Sequence, residues 1–147
     1  MKKLYFILFL TILSACIKQP ANTNSPTNQK SLLIEKQLRI ALDSIDLSVE
    51  ERKVFLQKAL TKIPDLSNDT LRLRHLSRIS LAYKKLRDSL EFRKINSEVL
   101  KLSKSAKIYN VQGESHWDLA SFLQSYDVLD SAYFHYRLAY KSFGQLP

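Results

Sequence analysis

Leu119-Ala120-Ser121-Phe122-Leu123-Gln124-Ser125-Tyr126, followed across Asp127-Val128-Leu129 by Asp130-Ser131-Ala132-Tyr133-Phe134-His135-Tyr136-Arg137-Leu138-Ala139, is the stretch that decides the fold. Apolar residues recur three and four apart on both sides of Asp130, and nothing alternates with the period of two that a strand needs. Asp130 sits where a helix start wants an oxygen to accept from an otherwise unpaired amide. The stretch therefore reads as two helices joined by a turn, from about 110 to 125 and from 130 to 143.

The same pattern runs upstream. Ile79-Ser80-Leu81-Ala82-Tyr83 with Leu86 matches 119–123 with Tyr126 at an offset of 40, and Asp88-Ser89-Leu90-Glu91-Phe92 matches 130–134 at 42, which places a two-residue difference in the turn. Helices are expected over 69–86 on Leu73, Leu76, Ile79 and Tyr83, and over 88–106 on Phe92, Ile95, Val99 and Leu102. Before them, Ile34, Leu38, Ala41 and Ile45 form one helical stripe, and Phe55 or Leu56, Ala59, Leu60 and Ile63 a second. Ser48 with Glu51 three residues on is a capping-box signature, and Pro64 stops the helix that begins there. Six helices in three hairpins with a period near 40 point to an all-α solenoid, whose units bury their apolar faces by stacking on neighbours. A compact helical bundle without repeat character is the competing arrangement.

In the third hairpin Leu119-Ala120, Leu123, Ala132, Tyr136 and Ala139 resemble the tetratricopeptide pattern of large-small, large, then small, aromatic, small, with twelve residues between Ala120 and Ala132. The small residues let paired helices approach, Tyr136 fills the gap beyond, and Ala139 receives the next helix. The second hairpin departs from the pattern, carrying Ser80, Leu90, Lys94 and Ser97 at the corresponding places, and the period exceeds the usual 34. The resemblance implies a concave wall made by the first helix of each pair. The matching positions are Glu114, Trp117, Ser121 and Gln124, preceded by Arg74, Ser77 and Lys84. Such a wall suits an acidic or C-terminal peptide held by charge-assisted bonds and aromatic packing, or else Trp117 packs between hairpins. Aromatic residues are dense in the last hairpin, at Trp117, Phe122, Tyr126, Tyr133, Phe134, Tyr136, Tyr140 and Phe143, and most of them are expected in the core. Repeats of this kind in related bacterial proteins stand in exported sensor regions ahead of a membrane helix and a kinase or DNA-binding module. This chain resembles that front portion, with no seventh helix after Phe143 to cover the stack.

The start of the chain carries a second resemblance. Lys2 and Lys3, an apolar run from Leu4 to Leu13, and Leu13-Ser14-Ala15-Cys16 look like a bacterial lipoprotein signal, in which cleavage between Ala15 and Cys16 leaves a fatty-acylated cysteine. Ten apolar residues give roughly 15 Å of helix, half of the ~30 Å hydrocarbon core, which disfavours a stable span. An ordinary cleaved signal with an incidental cysteine is the other reading. The resemblance implies residues 1–15 as signal peptide and anchoring by two or three acyl chains. Ile17, where the sorting rule for the inner membrane has Asp, implies outer-membrane attachment facing the periplasm. Residues 16–30, with two prolines and many Asn and Thr, read as the lipidated Cys16 and a flexible tether of roughly 20 Å root-mean-square reach. Residues 31–147 are then the repeat domain.

Composition narrows the chemistry. The formal net charge is +9. Without Lys2 and Lys3 it is +7, a balance that in an exported chain favours acidic protein partners or anionic lipid over nucleic acid. Cys16 is the only cysteine, so neither a disulfide within the chain nor a thiolate metal cluster is available. Gly113 and Gly144 are the only glycines, which excludes the phosphate-cradling loops of nucleotide-binding folds. His75, His116 and His135 fall on different helices without metal-ligand spacing, and no serine stands at a nucleophile elbow. Neither a metal nor a cofactor is expected. The sequence is thus expected to encode a membrane-anchored, non-catalytic, protein-binding repeat protein of the cell envelope. The alternative is an extracytoplasmic signal-input domain, a shortened relative of repeat-containing sensor histidine kinases or regulators.

Overall fold

The computed structural model describes residues 26–146, so the expected signal peptide, Ala15 and Cys16 lie outside the described residues. Among those described there are six α-helices and no strand: α1 (Pro26–Asp43), α2 (Val49–Leu60), α3 (Asp69–Lys85), α4 (Ser89–Ala106), α5 (Tyr109–Gln124) and α6 (Leu129–Phe143), with a single 3-10 turn at Ile63–Asp65. The all-helical expectation holds, and most boundaries fall within two residues of those read from periodicity. Two ends differ: α2 stops at Leu60, leaving Ile63 in the 3-10 turn, and α1 begins five residues before Ser31 and takes in the last part of the expected tether. Pro26 opens it, where a missing N–H removes no helical bond. Lys30 is fixed by donation to the Asp65 carbonyl at 3.4 Å. α1 also ends at Asp43, so Ile45 leaves the helix and is 89% exposed.

The short joints are built from named bonds. Ser48 and Glu51 form the capping box of α2, each side chain bonding the other's backbone amide. Arg52 latches the preceding loop by donating to the carbonyls of Leu47 and Ser44. Asn68 accepts from the Leu71 amide at 2.8 Å to start α3, and Asp88 accepts from Glu91 to start α4. α5 and α6 start differently, at Ile108 and Val128, with no side-chain cap. The expectation that Asp130 caps α6 is therefore corrected: Asp130 lies in the helix's first turn, where its carboxylate meets the positive end of the dipole.

The three turns after α3 share one backbone device. Arg87, Lys107 and Asp127 adopt φ of 60°, 56° and 57°, the left-handed region that glycine usually occupies. In each turn the following amide reaches five residues back: Asp88 to the Tyr83 carbonyl at 2.9 Å, Ile108 to Ser103 at 2.9 Å, Val128 to Leu123 at 3.1 Å. These residues stand twenty apart, so the structural register between α3–α4 and α5–α6 is 40 throughout. This corrects the offset of 42 read for the second helices. At an offset of 40, buried Phe92 and Val99 correspond to buried Ala132 and Ala139, whereas Leu90, Lys94 and Ser97, matched at 42, are exposed.

The hairpins α1–α2, α3–α4 and α5–α6 follow one another in space in chain order. Each packs on the next, α3 touches both α1 and α5, and the first and third do not pack substantially on one another. The core runs along this row through Ile34, Leu38, Leu56, Leu73, Ile79, Tyr83, Phe92, Val99 and Val111. Buried polar groups tie helices across it: Ser80 Oγ donates to the Phe92 carbonyl at 3.2 Å, and Asn96 Nδ2 to the Ser115 carbonyl at 3.2 Å.

A non-glycine residue in the left-handed region costs about 1 kcal/mol. Exposed Arg87 has no ion pair among the described residues, so Arg87→Gly is expected to stabilise the fold by roughly that amount. A higher urea midpoint at unchanged slope is the measurement; an unchanged or lowered midpoint would show that the turn is not under strain.

Candidate partner-binding surface

Of the expected wall residues, the fold brings Ser77, Glu114 and Trp117 together. They line a shallow groove of about 330 Å³ with Arg78, Leu81, Asp118 and Phe143. Ser77 is buried at its floor; Trp117 is 55% exposed, and its ring meets Tyr136 edge-on with centroids 4.9 Å apart. Neither of the simple alternatives for Trp117 therefore describes it, since one edge packs within the α5–α6 hairpin while the rest borders the groove. Gly113 is what lets Phe143 reach this place. A Cβ there would stand 2.5 Å from Phe143 Cε1, so the ring lies directly on the α5 backbone. Gly113, Phe143, Arg78 and Leu81 were not singled out from the sequence; a glycine inside a helical pattern was the available signal for a close approach.

Arg74, Lys84 and Gln124 do not line this groove. Arg74 is exposed. Gln124 Oε1 accepts from the Tyr136 hydroxyl at 2.9 Å. Lys84 is an internal strut between α3 and α5, donating to the Asp118 carbonyl at 3.0 Å and to Ser121 Oγ, with the Asp118 carboxylate 3.9 Å away. Burial lowers the Lys84 pKa against the pull of Asp118, and burial raises the Asp118 pKa against that of Lys84. Arg78 is committed to Glu35 of α1. The groove thus offers an indole and a phenyl edge among Arg78, Glu114 and Asp118, with no surplus positive charge.

The repeat-packing residues divide by size. Ala120, Ala132 and Ala139 are buried between helices, while Leu119, Leu123 and Tyr136 are half-buried. The expectation that the remaining aromatic residues of this hairpin fill the core is corrected. Tyr126, Tyr133, Phe134 and Tyr140 are exposed, Tyr140 to 82%. α6 has α5 as its one substantial neighbour among the described residues, and its inward positions belong to Ala132, Ala139 and Ser142. Phe134, Arg137, Leu138, Tyr140 and Lys141 border a second depression, of about 470 Å³, on its outer side.

The histidines also converge more than their spacing suggested. His116 and His135 meet across the last hairpin with Nδ1 atoms 3.1 Å apart, which requires that one ring donate and the other accept. Buried His75 stands between Ser31 Oγ, 2.8 Å from Nε2, and Glu35 Oε1, 3.3 Å from Nδ1 but without hydrogen-bond alignment. Ser31, His75 and Glu35 carry the atom types of a nucleophile relay. Ser31 lies inside α1, however, where its neighbouring amides are bonded along the helix and none is left to hold an oxyanion, and Arg78 already claims Glu35. The cluster joins α1 to α3. Among the described residues no group of three or more side chains is arranged to hold a metal ion, and no helix is long and apolar enough to cross a membrane.

No family model, curated protein or solved structure matches the chain.

Burial is the largest cause lowering the pKa of all three histidines. For His116, with help from His135 and Lys104, the pKa falls to about 4. A folded-state pKa below the unfolded 6.5 means that the unfolded chain takes up protons first. Stability is therefore full above pH 6.5 and falls as the pH drops toward 4. At 1.36 kcal/mol per unit that shift corresponds to about 3 kcal/mol, which solvent screening of a partly exposed ring reduces to roughly 2, read from urea midpoints, and His116→Gln should remove most of it. An equal acid-side slope in the variant would show that His116 is not the titrating group.

Proposed function

We propose that this chain is a lipid-anchored, non-catalytic protein of the cell envelope. On this reading its stacked helical hairpins, tetratricopeptide-like in the last pair, bind a partner protein through the outer side of α6. The observation that carries the reading is the row of exposed aromatic residues on α6. Tyr133, Phe134 and Tyr140 are each more than half exposed, and exposed apolar side chains gathered on one surface mark interaction sites. Aromatic side chains desolvated beside arginine are the usual energetic centres of protein interfaces. Arg137 and Lys141 flank Phe134 and Tyr140, and residues 131–147 contain no Asp or Glu. That complementarity fits a partner segment presenting apolar residues with acidic ones beside them. Anchoring is supported by the sequence from Met1 to Cys16, with Cys16 as the acylated residue.

Both halves have a direct test. Cys16→Ser is expected to release the protein from membranes and to abolish fatty-acid labelling; retention after a high-salt wash would remove the anchor from the account. A photo-crosslinking amino acid at Tyr140 is expected to give a discrete adduct in whole envelopes, lost when Phe134→Ser is added while helicity is unchanged. The same probe at exposed Arg93 on α4 should give no such adduct. Identical patterns from the two positions would overturn the docking face.

A further inference from the structure

The largest cavity described, about 630 Å³, is walled by α4, α5 and α6. Lys101 and Lys104 of α4, Lys107 of the following turn and Lys141 of α6 line it, and no carboxylate does. The segregation is written into the sequence: residues 99–113 and 131–147 hold no Asp or Glu, although the chain has 14. Lys30, Lys53, Lys84 and Lys94 each have a carboxylate within 4.0 Å. None of the four cavity lysines has one among the described residues. The helix dipole accounts for Lys104 and Lys141, which stand in last turns. It does not account for Lys101, more than a turn from the end of α4, or for Lys107, held at φ 56° in the left-handed region.

Four like charges around one concavity repel each other until an anion enters it. Ammonium groups are point charges without the planar fork that matches a carboxylate, so four of them suit a compact oxyanion carrying more than one charge. Tyr109 and Gln112 add neutral hydrogen-bonding groups, while Leu100 and Leu138 supply an apolar floor that a bare inorganic ion would not use. We propose that this cavity binds a phosphate group on a short organic arm, whether a free organic phosphate or the headgroup of an anionic lipid.

The test is calorimetric titration of the full-length protein in maltoside detergent with glycerol phosphate, with citrate as a carboxylate probe of higher charge. In parallel, co-flotation of the unanchored Cys16→Ser protein, without detergent, is measured with vesicles of phosphatidylglycerol in neutral lipid against neutral lipid alone. The doubly substituted Lys101→Gln, Lys104→Gln protein should bind at least tenfold more weakly than the parent. Both positions are exposed, so its circular dichroism should be unchanged, and Lys58→Gln on α2 should bind as the parent does. Glycerol phosphate binding that depends on the lysine pair identifies a free organic phosphate as sufficient. Vesicle binding alone with the same dependence assigns the phosphate to a lipid headgroup. Citrate binding as tightly as glycerol phosphate, parent-like binding by the double variant, or no binding to either phosphate probe overturns the proposal.

Discussion

An amide reaching five residues back, repeated at Asp88, Ile108 and Val128, is the constraint on which the second half of the fold depends. Each such bond closes a helix through one residue at positive φ, with the next helix beginning one or two residues further on. With no slack in the turns, the lengths of α4, α5 and α6 and the register of the two later hairpins are set together. The first hairpin is held by other means: a capping box, the Arg52 latch and a proline-containing turn.

That difference explains what could be read from the sequence. Leu73, Leu76, Ile79 and Tyr83, or Phe92, Ile95 and Val99, announce their helices because burial has a period and periods are visible. The caps at Ser48 and Asp88 are visible for the same local reason. The left-handed turns at Arg87, Lys107 and Asp127 are not, since no glycine marks them, and so the two-residue slip at Asp130 could not be recognised as false. The early start of α1 was hidden by a composition rich in Asn and Thr. It is stabilised from a distance, by Lys30 on Asp65 and Ser31 on His75.

The candidate binding surface was legible in residue type and illegible in placement. Trp117, Glu114 and Ser77 do share a groove, but Lys84, which looks from its charge like a ligand-holding group, spends its ammonium on Asp118 and Ser121 inside the fold. Aromatic density in the last hairpin suggested a core. The alanines that suggested tetratricopeptide packing are what leave those rings outside, because Ala132 and Ala139 occupy the inward positions themselves. The surplus positive charge is concentrated instead where α4 and α6 lack carboxylates. Total charge is a property of composition, whereas its segregation depends on which helices become neighbours.

That the first and third hairpins do not pack substantially on one another has a kinetic meaning. The stabilising contacts lie within a hairpin or between one hairpin and the next, so no loop longer than a neighbouring pair has to close before they form. Helical folds in which local contacts dominate form in microseconds to milliseconds. Each hairpin can complete against its predecessor without waiting for a distant partner. A break introduced at one turn is then felt by the adjoining pair and fades beyond it.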